Sequence, residues 1–177
     1  MHYISTYDSP LGGITLASDG NRLTGLWFQG QKYYADTLPE AFDEKPLALF
    51  DEVHRWLDIY FSGRIPDFMP PLAAAGSPFR MAVWAILMQI PYGQVMTYRQ
   101  ISQQLAQQRG LSAMSAQAVG GAVAHNPISI LIPCHRVVGS DGSLTGYAGG
   151  IAKKRRLLML EGVDMAGLYI PKKGTAL

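Results

Sequence analysis

The sequence predicts an α/β protein of the α+β kind, with a β-rich N-terminal region and a helical C-terminal region. Short alternating runs near the N-terminus, "HYISTY" and "GITLAS", are typical of strands. Beyond them, apolar residues recur at helical spacing behind helix-capping sequences. A Pro/Gly-rich stretch near residues 64–77 separates the two regions, so we expect one domain at 1–76 and a second at 77–177.

Three strands and one helix are expected in the N-terminal domain. "DSPLGG" joins the first two strands, and "SDGN" provides a tight turn into a third, "RLTGLWF", so the three form a meander. The apolar residues of the following segment share one helix face: Leu49, Val53, Trp56, Leu57 and Tyr60. Gly63 is predicted to end that helix.

Three helices open the C-terminal domain. Ser77 and Pro78 form an N-cap and first-turn pair before "FRMAVWAILMQI". The capping box "TYRQ" starts the second helix, and Asn126 ends the third, "AMSAQAVGGAVAH". The last two helices resemble a helix-turn-helix, so a winged-helix-like domain with its second helix against DNA is predicted.

The third helix has few side chains, because Gly120 and Gly121 lie among alanines. Each glycine costs a helix roughly 1 kcal/mol, which a close approach to another surface can offset. One candidate surface is a widened DNA minor groove, and the other is a neighbouring helix or strand of the same protein. The helix alone favours internal packing.

Charge is unevenly distributed along the chain. The net charge of +2 combines −5 for residues 1–76 with +7 for residues 77–177, which suggests that the second half meets a polyanion. No apolar run approaches the ~18 residues of a membrane span, and no signal peptide is evident. A single cysteine excludes an internal disulfide and a multi-cysteine zinc site, and it suits a cytoplasmic protein.

That cysteine, Cys134, lies beside His135 in "ILIPCHRVVG". It is either an inert buried thiol, which the stretch alone favours, or a nucleophile with a nearby base. If the segment is extended, the two side chains point to opposite sides, and a water bridges them. A catalytic histidine also needs an orienting carboxylate, and Glu161 is the natural candidate in a region with only three acidic residues.

The motif "IPCHRVVG", preceded by "AVGGAVAHNPISIL" and followed by "LTGYAGG" and "KKRRLLMLEG", resembles the O6-alkylguanine-DNA alkyltransferases. The resemblance covers residues 77–162, and the N-terminal third matches loosely the ribonuclease-H-like domain of that family. It implies that Cys134 accepts an alkyl group from O6-alkylguanine once per molecule. His135 would act as its base through a water, Glu161 would hold the imidazole, and Asn126 would fix the turn before the cysteine.

The resemblance also implies a recognition site for a flipped-out base. Tyr147 would hydrogen-bond the guanine, the backbone at Val137 and Ala148 would contact the base edge, and Tyr98 would rotate the target phosphate. Two further positions match contacts to the DNA backbone: Arg99 and Ser140. No cofactor or metal is implied, and the partner is double-stranded DNA carrying O6-alkylguanine, with O4-alkylthymine left open. A monomer is expected, cytoplasmic, or nuclear in a eukaryote.

The sequence departs from the family pattern at Gln117, where an arginine usually fills the space of the flipped base. Glutamine can still hydrogen-bond the orphaned base, so it either fills the stack less strongly or is an accepted substitute. "KKRR" at 153–156 is either a phosphate clamp or, as such runs more often are, the solvated face of a helix. The alternative functions are a lesion-binding protein without transfer, whose relatives lack the cysteine, and a cysteine hydrolase.

Overall fold

The computed structural model describes residues 1–172, and residues 173–177, including Lys173 of the basic half, lie outside the described residues. The chain forms two compact units. The first consists of Met1–Ala75 together with Pro127–Leu131, and the second of Gly76–Asn126 and the chain from Ile132 onward. The expected α+β architecture, with a sheet in the first unit and helices in the second, is confirmed.

A four-stranded sheet forms the centre of the first unit. The predicted meander is present as β1 (His2–Ser9), β2 (Gly12–Ser18) and β3 (Leu23–Phe28), each antiparallel to the next. The sequence analysis missed β4 (Phe42–Glu44), which pairs parallel to β1 and completes the order β3-β2-β1-β4. All three residues of β4 are exposed, so no alternation of apolar residues marks this strand.

Helix α1 (Ala48–Phe61) follows the sheet, as its spacing predicted. Its buried side chains include every residue assigned to the apolar face: Leu49, Phe50, Val53, Trp56, Leu57 and Tyr60. Ser62 is the C-cap, and Gly63 just beyond it has a φ of +81°, a conformation that favours glycine.

The outer edge of β3 is covered by two other segments of the first unit. Leu23 exchanges backbone hydrogen bonds with Pro71 and Ala73. The backbone N–H of Leu26 donates to Pro127, and its carbonyl accepts from Ser129. Residues 127–131 therefore lie in the first unit, although they are flanked in sequence by parts of the second.

The second unit begins with α2 (Pro78–Leu87), whose N-cap Ser77 accepts a hydrogen bond from the backbone N–H of Arg80. A two-residue strand, β5 (Met96–Thr97), leads into α3 (Tyr98–Gln108). Both hydrogen bonds of the predicted capping box are present at the start of α3. These starts confirm the helix boundaries that the capping residues indicated.

The remaining elements are α4 (Ala116–Ala124), a 3-10 turn (Cys134–Arg136), β6 (Val137–Val138) and α5 (Ile151–Leu160). Helix α4 starts later than its apolar pattern suggested, because the side chain of Ser115 caps it. Strand β6 pairs parallel to β5, which adds a small two-stranded sheet to the helices. In residues 1–172 no helix is both long and apolar enough to cross a membrane.

Helices α2, α3 and α4 share an apolar core in the second unit. The buried side chains come from all three: Val83, Ile86 and Leu87, Ile101 and Leu105, Val119 and Val123. The indole N–H of Trp84 donates to the backbone carbonyl of Ala122 at 2.8 Å, which fixes α4 against α2. This core leaves one face of α4 outside.

Candidate active site

Cys134 begins a 3-10 turn rather than an extended segment, which corrects the expectation from the sequence. The turn closes through a hydrogen bond from the backbone N–H of Arg136 to the carbonyl of Pro133, at 3.0 Å. Because the backbone bends here, consecutive side chains do not alternate as they would in a strand. The thiol is buried, with 4% of the residue exposed.

Asn126, at the end of α4, contacts this turn at two points. Its amide Nδ2 donates to the carbonyl of Ile132 at 2.8 Å and to Cys134 Sγ at 3.1 Å. The side chain is itself buried, so both hydrogen bonds form away from solvent. Asn126 therefore both holds the turn and supplies a donor that stabilises negative charge on sulfur.

The protonation of Cys134 reflects opposing influences. Burial raises the pKa of the thiol, and it outweighs the hydrogen bond from Asn126 and the positive charge of Lys154, which lower it. The group therefore rests as a thiol at neutral pH. A nucleophilic thiolate must be generated when the proton is removed, which requires a neutral base in the site.

His135 has the properties of such a base. Its side chain is fully buried, and Nε2 lies 2.6 Å from Glu161 Oε1. Burial lowers the pKa of His135, which outweighs the influence of Glu161 in the opposite direction, so the imidazole is neutral at pH 7. Because an ionised carboxylate only accepts hydrogen bonds, Nε2 carries the proton and Nδ1 is the basic nitrogen.

Arg136 is a member of the site that the sequence analysis missed. Its Nε and Nη2 donate to the two oxygens of Glu161 at 2.9 and 3.0 Å, and Nη1 donates to the carbonyl of Ile90 at 2.6 Å. Burial tends to raise the pKa of Glu161, but hydrogen bonds and charge from His135 and Arg136 outweigh it and lower that pKa to about 2. The sequence held one signal for Arg136: a glutamate predicted to lie in the site needs a cationic partner if it is buried.

Lys154 is the second missed residue, and it departs from the solvated face expected of "KKRR", in which Arg155 and Arg156 are exposed. Its side chain is fully buried, and the ammonium donates to the carbonyls of Val137 and Thr145. Burial lowers its pKa to about 8, against the influence of Cys134, so it is largely charged at pH 7. Lys154 shares helical spacing with buried Leu157 and Leu158, a pattern that could have revealed its position.

Among the residues assigned to base recognition, Val137 contacts this lysine through its backbone carbonyl. Tyr147 is buried, Val137 is buried in β6, and Ala148 is half-buried. The hydroxyl of Tyr98 donates to the carbonyl of Thr145 at 3.0 Å, so α3 is linked to the segment that carries Tyr147. Their predicted roles toward a base and a phosphate remain predictions.

Three of the four residues assigned to DNA contacts are exposed, and the fourth, Tyr98, is half-buried. Arg99 lies in the first turn of α3, Gln117 in the first turn of α4, and Ser140 in the turn after β6. A Cβ at Gly121 would meet no atom within 4 Å, and one at Gly120 would only touch the Tyr98 ring at 4.0 Å. Internal packing therefore does not account for Gly121, contrary to the reading that the helix alone favoured.

A buried thiol, a neutral histidine held by a carboxylate, and a helix with one exposed face of small side chains are the features expected of a cysteine-based group-transfer protein that binds DNA. Within the described residues no group of three or more His, Cys, Asp or Glu side chains could hold a metal ion. The buried thiol and the His135–Glu161 pair lie in the same unit as helices α3 and α4.

The comparisons with known proteins define the family. Residues 78–163 match the family described as 6-O-methylguanine DNA methyltransferase, DNA binding domain, and residues 2–74 match the ribonuclease-like domain of the same enzyme. The chain belongs to the 6-O-methylguanine DNA methyltransferase family. The resemblance stated from the cysteine motif is confirmed, and so is the ribonuclease-like N-terminal domain.

Similarity to individual relatives extends over almost the whole chain. The methylated-DNA–protein-cysteine methyltransferase of Mycobacterium tuberculosis is 42% identical over 161 residues, covering 91% of this chain and 92% of that protein. The relative of that name from Haemophilus influenzae is 37% identical, covering 96% and 89%. The crystal structure of Mycobacterium tuberculosis OGT in complex with DNA superimposes with a TM-score of 0.78 at 40% identity, covering 90% of this chain and 92% of that one.

Proposed function

We propose that this protein repairs DNA by transferring an alkyl group, typically methyl, from O6 of guanine to its own Cys134. The observation that carries the proposal is the buried contact of the only cysteine with Asn126, beside the His135–Glu161 pair. The relatives named methylated-DNA–protein-cysteine methyltransferase support it, as does a neighbour solved with DNA.

The first step is removal of the thiol proton. His135 accepts it on Nδ1 through a water, while Glu161 holds Nε2 and stabilises the imidazolium that forms. The hydrogen bond from Asn126 and the charge of Lys154 favour the thiolate, so both act most strongly as negative charge develops on sulfur.

The second step is a displacement at the alkyl carbon. The sulfur–carbon bond forms, the carbon–O6 bond breaks, and guanine takes up a proton that balances the one lost by the thiol. Tyr147 is the proposed hydrogen-bond donor to the leaving base. Because the reacting carbon is inaccessible in a stacked duplex, the nucleotide must leave the helix, for which Tyr98 and Gln117 are the proposed contacts.

The product fixes the stoichiometry. A thioether has no ready leaving group, and no second thiol exists in the chain to release the alkyl group. Each protein molecule therefore reacts once. The chemistry proposed uses only side chains of this protein and the DNA, and it needs a single copy of the chain.

The assignment of the two domains is part of this proposal. Residues 1–76 form the supporting domain, and residues 77–177 bind DNA and accept the alkyl group. The unit boundary after Ala75 and the family matches at 2–74 and 78–163 support the division. The substrate implies that the protein acts where the genome is, in the cytoplasm, or in the nucleus of a eukaryote.

The proposal is tested by intact mass after incubation with a duplex containing O6-methylguanine. Transfer predicts one added methylene per molecule, located on Cys134 and absent in Cys134→Ser, which should still bind the duplex. Tight lesion binding without an adduct would indicate a binding protein instead. Repeated turnover would indicate a hydrolase.

A further inference from the structure

Residues 127–129, which precede the nucleophile, are hydrogen-bonded to strand β3 at both ends. The backbone N–H of Leu26 in β3 donates to the carbonyl of Pro127 at 2.8 Å, and the N–H of Ser129 donates to the carbonyl of Leu26 at 2.9 Å. The segment therefore extends the sheet of the first unit like a short strand. Four residues lie between Ser129 and Cys134, so the backbone conformation of this short segment limits where the thiol can lie.

The next residue, Ile130, has an unusual backbone. Its φ is +70°, although it is β-branched and only 1% exposed. The N–H of Leu131 donates to the carbonyl of Ser129 at 2.8 Å, which closes a γ-turn centred on Ile130. This positive-φ form of the γ-turn is rare and strained, and it persists only where the surrounding structure enforces it.

A second turn follows at once. Pro133 has φ −82° and ψ 63°, and the N–H of Cys134 donates to the carbonyl of Ile132 at 2.8 Å, which is an inverse γ-turn. The amide of Asn126 binds the same carbonyl of Ile132. Two successive γ-turns thus redirect the chain between β3-paired Ser129 and the thiol, and the second of them is fixed by a side chain that also contacts Cys134 Sγ.

We propose that Ile130 is a positioning residue for alkyl transfer: its strained γ-turn sets the buried location of Cys134. The inference rests on the proposed function, since it concerns the same nucleophile. A displacement of a reacting atom by about 1 Å can slow a reaction roughly a hundredfold, so a locked turn before the thiol has a direct effect on rate. A glycine would relax this turn, because it adopts either sign of φ at little cost.

The test compares Ile130→Gly with the unmodified protein in two assays. The first measures reaction of a small disulfide reagent with the folded protein, which reports only Cys134 because the chain has no other cysteine. The second measures single-turnover methyl transfer at saturating O6-methylguanine duplex, with the duplex affinity determined separately. We expect thiol reactivity to rise about tenfold and transfer to fall about tenfold, with affinity changed less than about twofold.

Two control variants separate positioning from loss of packing. Ile130→Val keeps a β-branched side chain at this position, so its thiol reactivity and its transfer rate should both stay near those of the unmodified protein. Ile128→Gly removes the same buried side chain two residues earlier, at an ordinary φ. It should lower the free energy of unfolding while leaving the thiol of the folded protein unreactive.

Unchanged thiol reactivity and transfer in Ile130→Gly overturn the inference. So does a loss of transfer that follows the folded fraction and the duplex affinity together. If Ile130→Gly does not fold, amide exchange in the unmodified protein decides: slow exchange of the Leu131 N–H supports the locked turn, and exchange as fast as an exposed loop overturns it. Absence of transfer in the unmodified protein, with a reactive thiol in Ile130→Gly, refutes the proposed function but leaves the role of the turn standing.

Discussion

The second unit contains two regions that differ in how far their side chains are bonded within the protein. The catalytic network (Asn126, Cys134, His135, Arg136, Lys154 and Glu161) is almost wholly buried and bonded within the protein. The outer face of α4 (Ala116, Gln117, Ala118 and Gly121) is exposed, with small side chains and few internal contacts. The network is organised before any substrate arrives, whereas the outer face is suited to a partner. Substitutions in the first should therefore change rate, and substitutions in the second should change affinity.

Glu161→Gln should have the largest effect on rate. Glutamine cannot stabilise an imidazolium on His135 or form the paired ionic contact with Arg136, so transfer at saturating DNA should fall roughly a hundredfold. The duplex affinity should stay nearly unchanged. Single-turnover kinetics and a binding titration measure the two quantities. Asp164→Asn, an exposed carboxylate nearby, is the matched control. Loss of binding in Glu161→Gln would refute its assignment as an orienting residue.

The same residues predict how stability depends on pH. His135 has a folded-state pKa below its ordinary 6.5, so the unfolded chain takes up a proton first and stability declines as pH falls below 6.5. Glu161, with a pKa of about 2 against 4.5, adds stability that is complete above 4.5 and lost as pH falls toward 2. Denaturant unfolding across this range should show both losses. Glu161→Gln should lack the part between pH 4.5 and 2.

Lys154→Met should have the next largest effect on the transfer rate. The substitution removes a positive charge that favours the Cys134 thiolate, so the transfer rate should fall on the order of tenfold, which corresponds to about 1.4 kcal/mol of lost stabilisation. It also leaves the carbonyls of Val137 and Thr145 without their ammonium donor, which should lower the free energy of unfolding by about 1–3 kcal/mol. Arg155→Met, at an exposed position of the same helix, should change neither. A rate equal to that of the unmodified protein would mean that the charge does not act on the thiol.

Gly121→Ala examines the outer face. A Cβ there meets open space, so alanine should stabilise α4 by roughly 1 kcal/mol through helix propensity. If DNA approaches this face closely, the same methyl group should weaken duplex affinity about threefold while the transfer rate at saturation is unchanged. Gly120→Ala is the control, because it gains the same helix propensity at a position that lies beside Tyr98. Equal affinity for both alanine variants and the unmodified protein would exclude close approach at Gly121.

Gln117→Arg should have the smallest effect. One added phosphate contact should steepen the dependence of log affinity on log salt by about 0.9, with no change in transfer at saturation. Gln107→Arg, exposed on α3, controls for added charge elsewhere. An identical salt slope for Gln117→Arg and the unmodified protein would show that this position makes no ionic contact with DNA.

The elements that the sequence predicted are those with local signals. Capping residues at Ser77 and Thr97 and the apolar face of α1 fixed three helices, and the motif around Cys134 indicated the nucleophile. Strand β4 was missed because, within residues 1–172, the one strand it pairs with is β1, a contact between residues about 40 positions apart. Arg136 and Lys154 were not predicted for a related reason. Charged residues are expected at the surface, so the weak sequence signals for these two became decisive only when the Glu161 carboxylate and the backbone carbonyls were located in three dimensions.

The burial of the single cysteine has a consequence for the lifetime of the protein. A molecule that reacts once is consumed by any electrophile or oxidant that reaches its sulfur, and thiolates react with both far faster than thiols do. Because Cys134 is shielded from solvent and rests protonated, peroxide and small alkylating compounds meet a poor target. The buried thiol can react only with a group that is placed inside the site. The free protein is therefore already selective against other electrophiles before it binds damaged DNA.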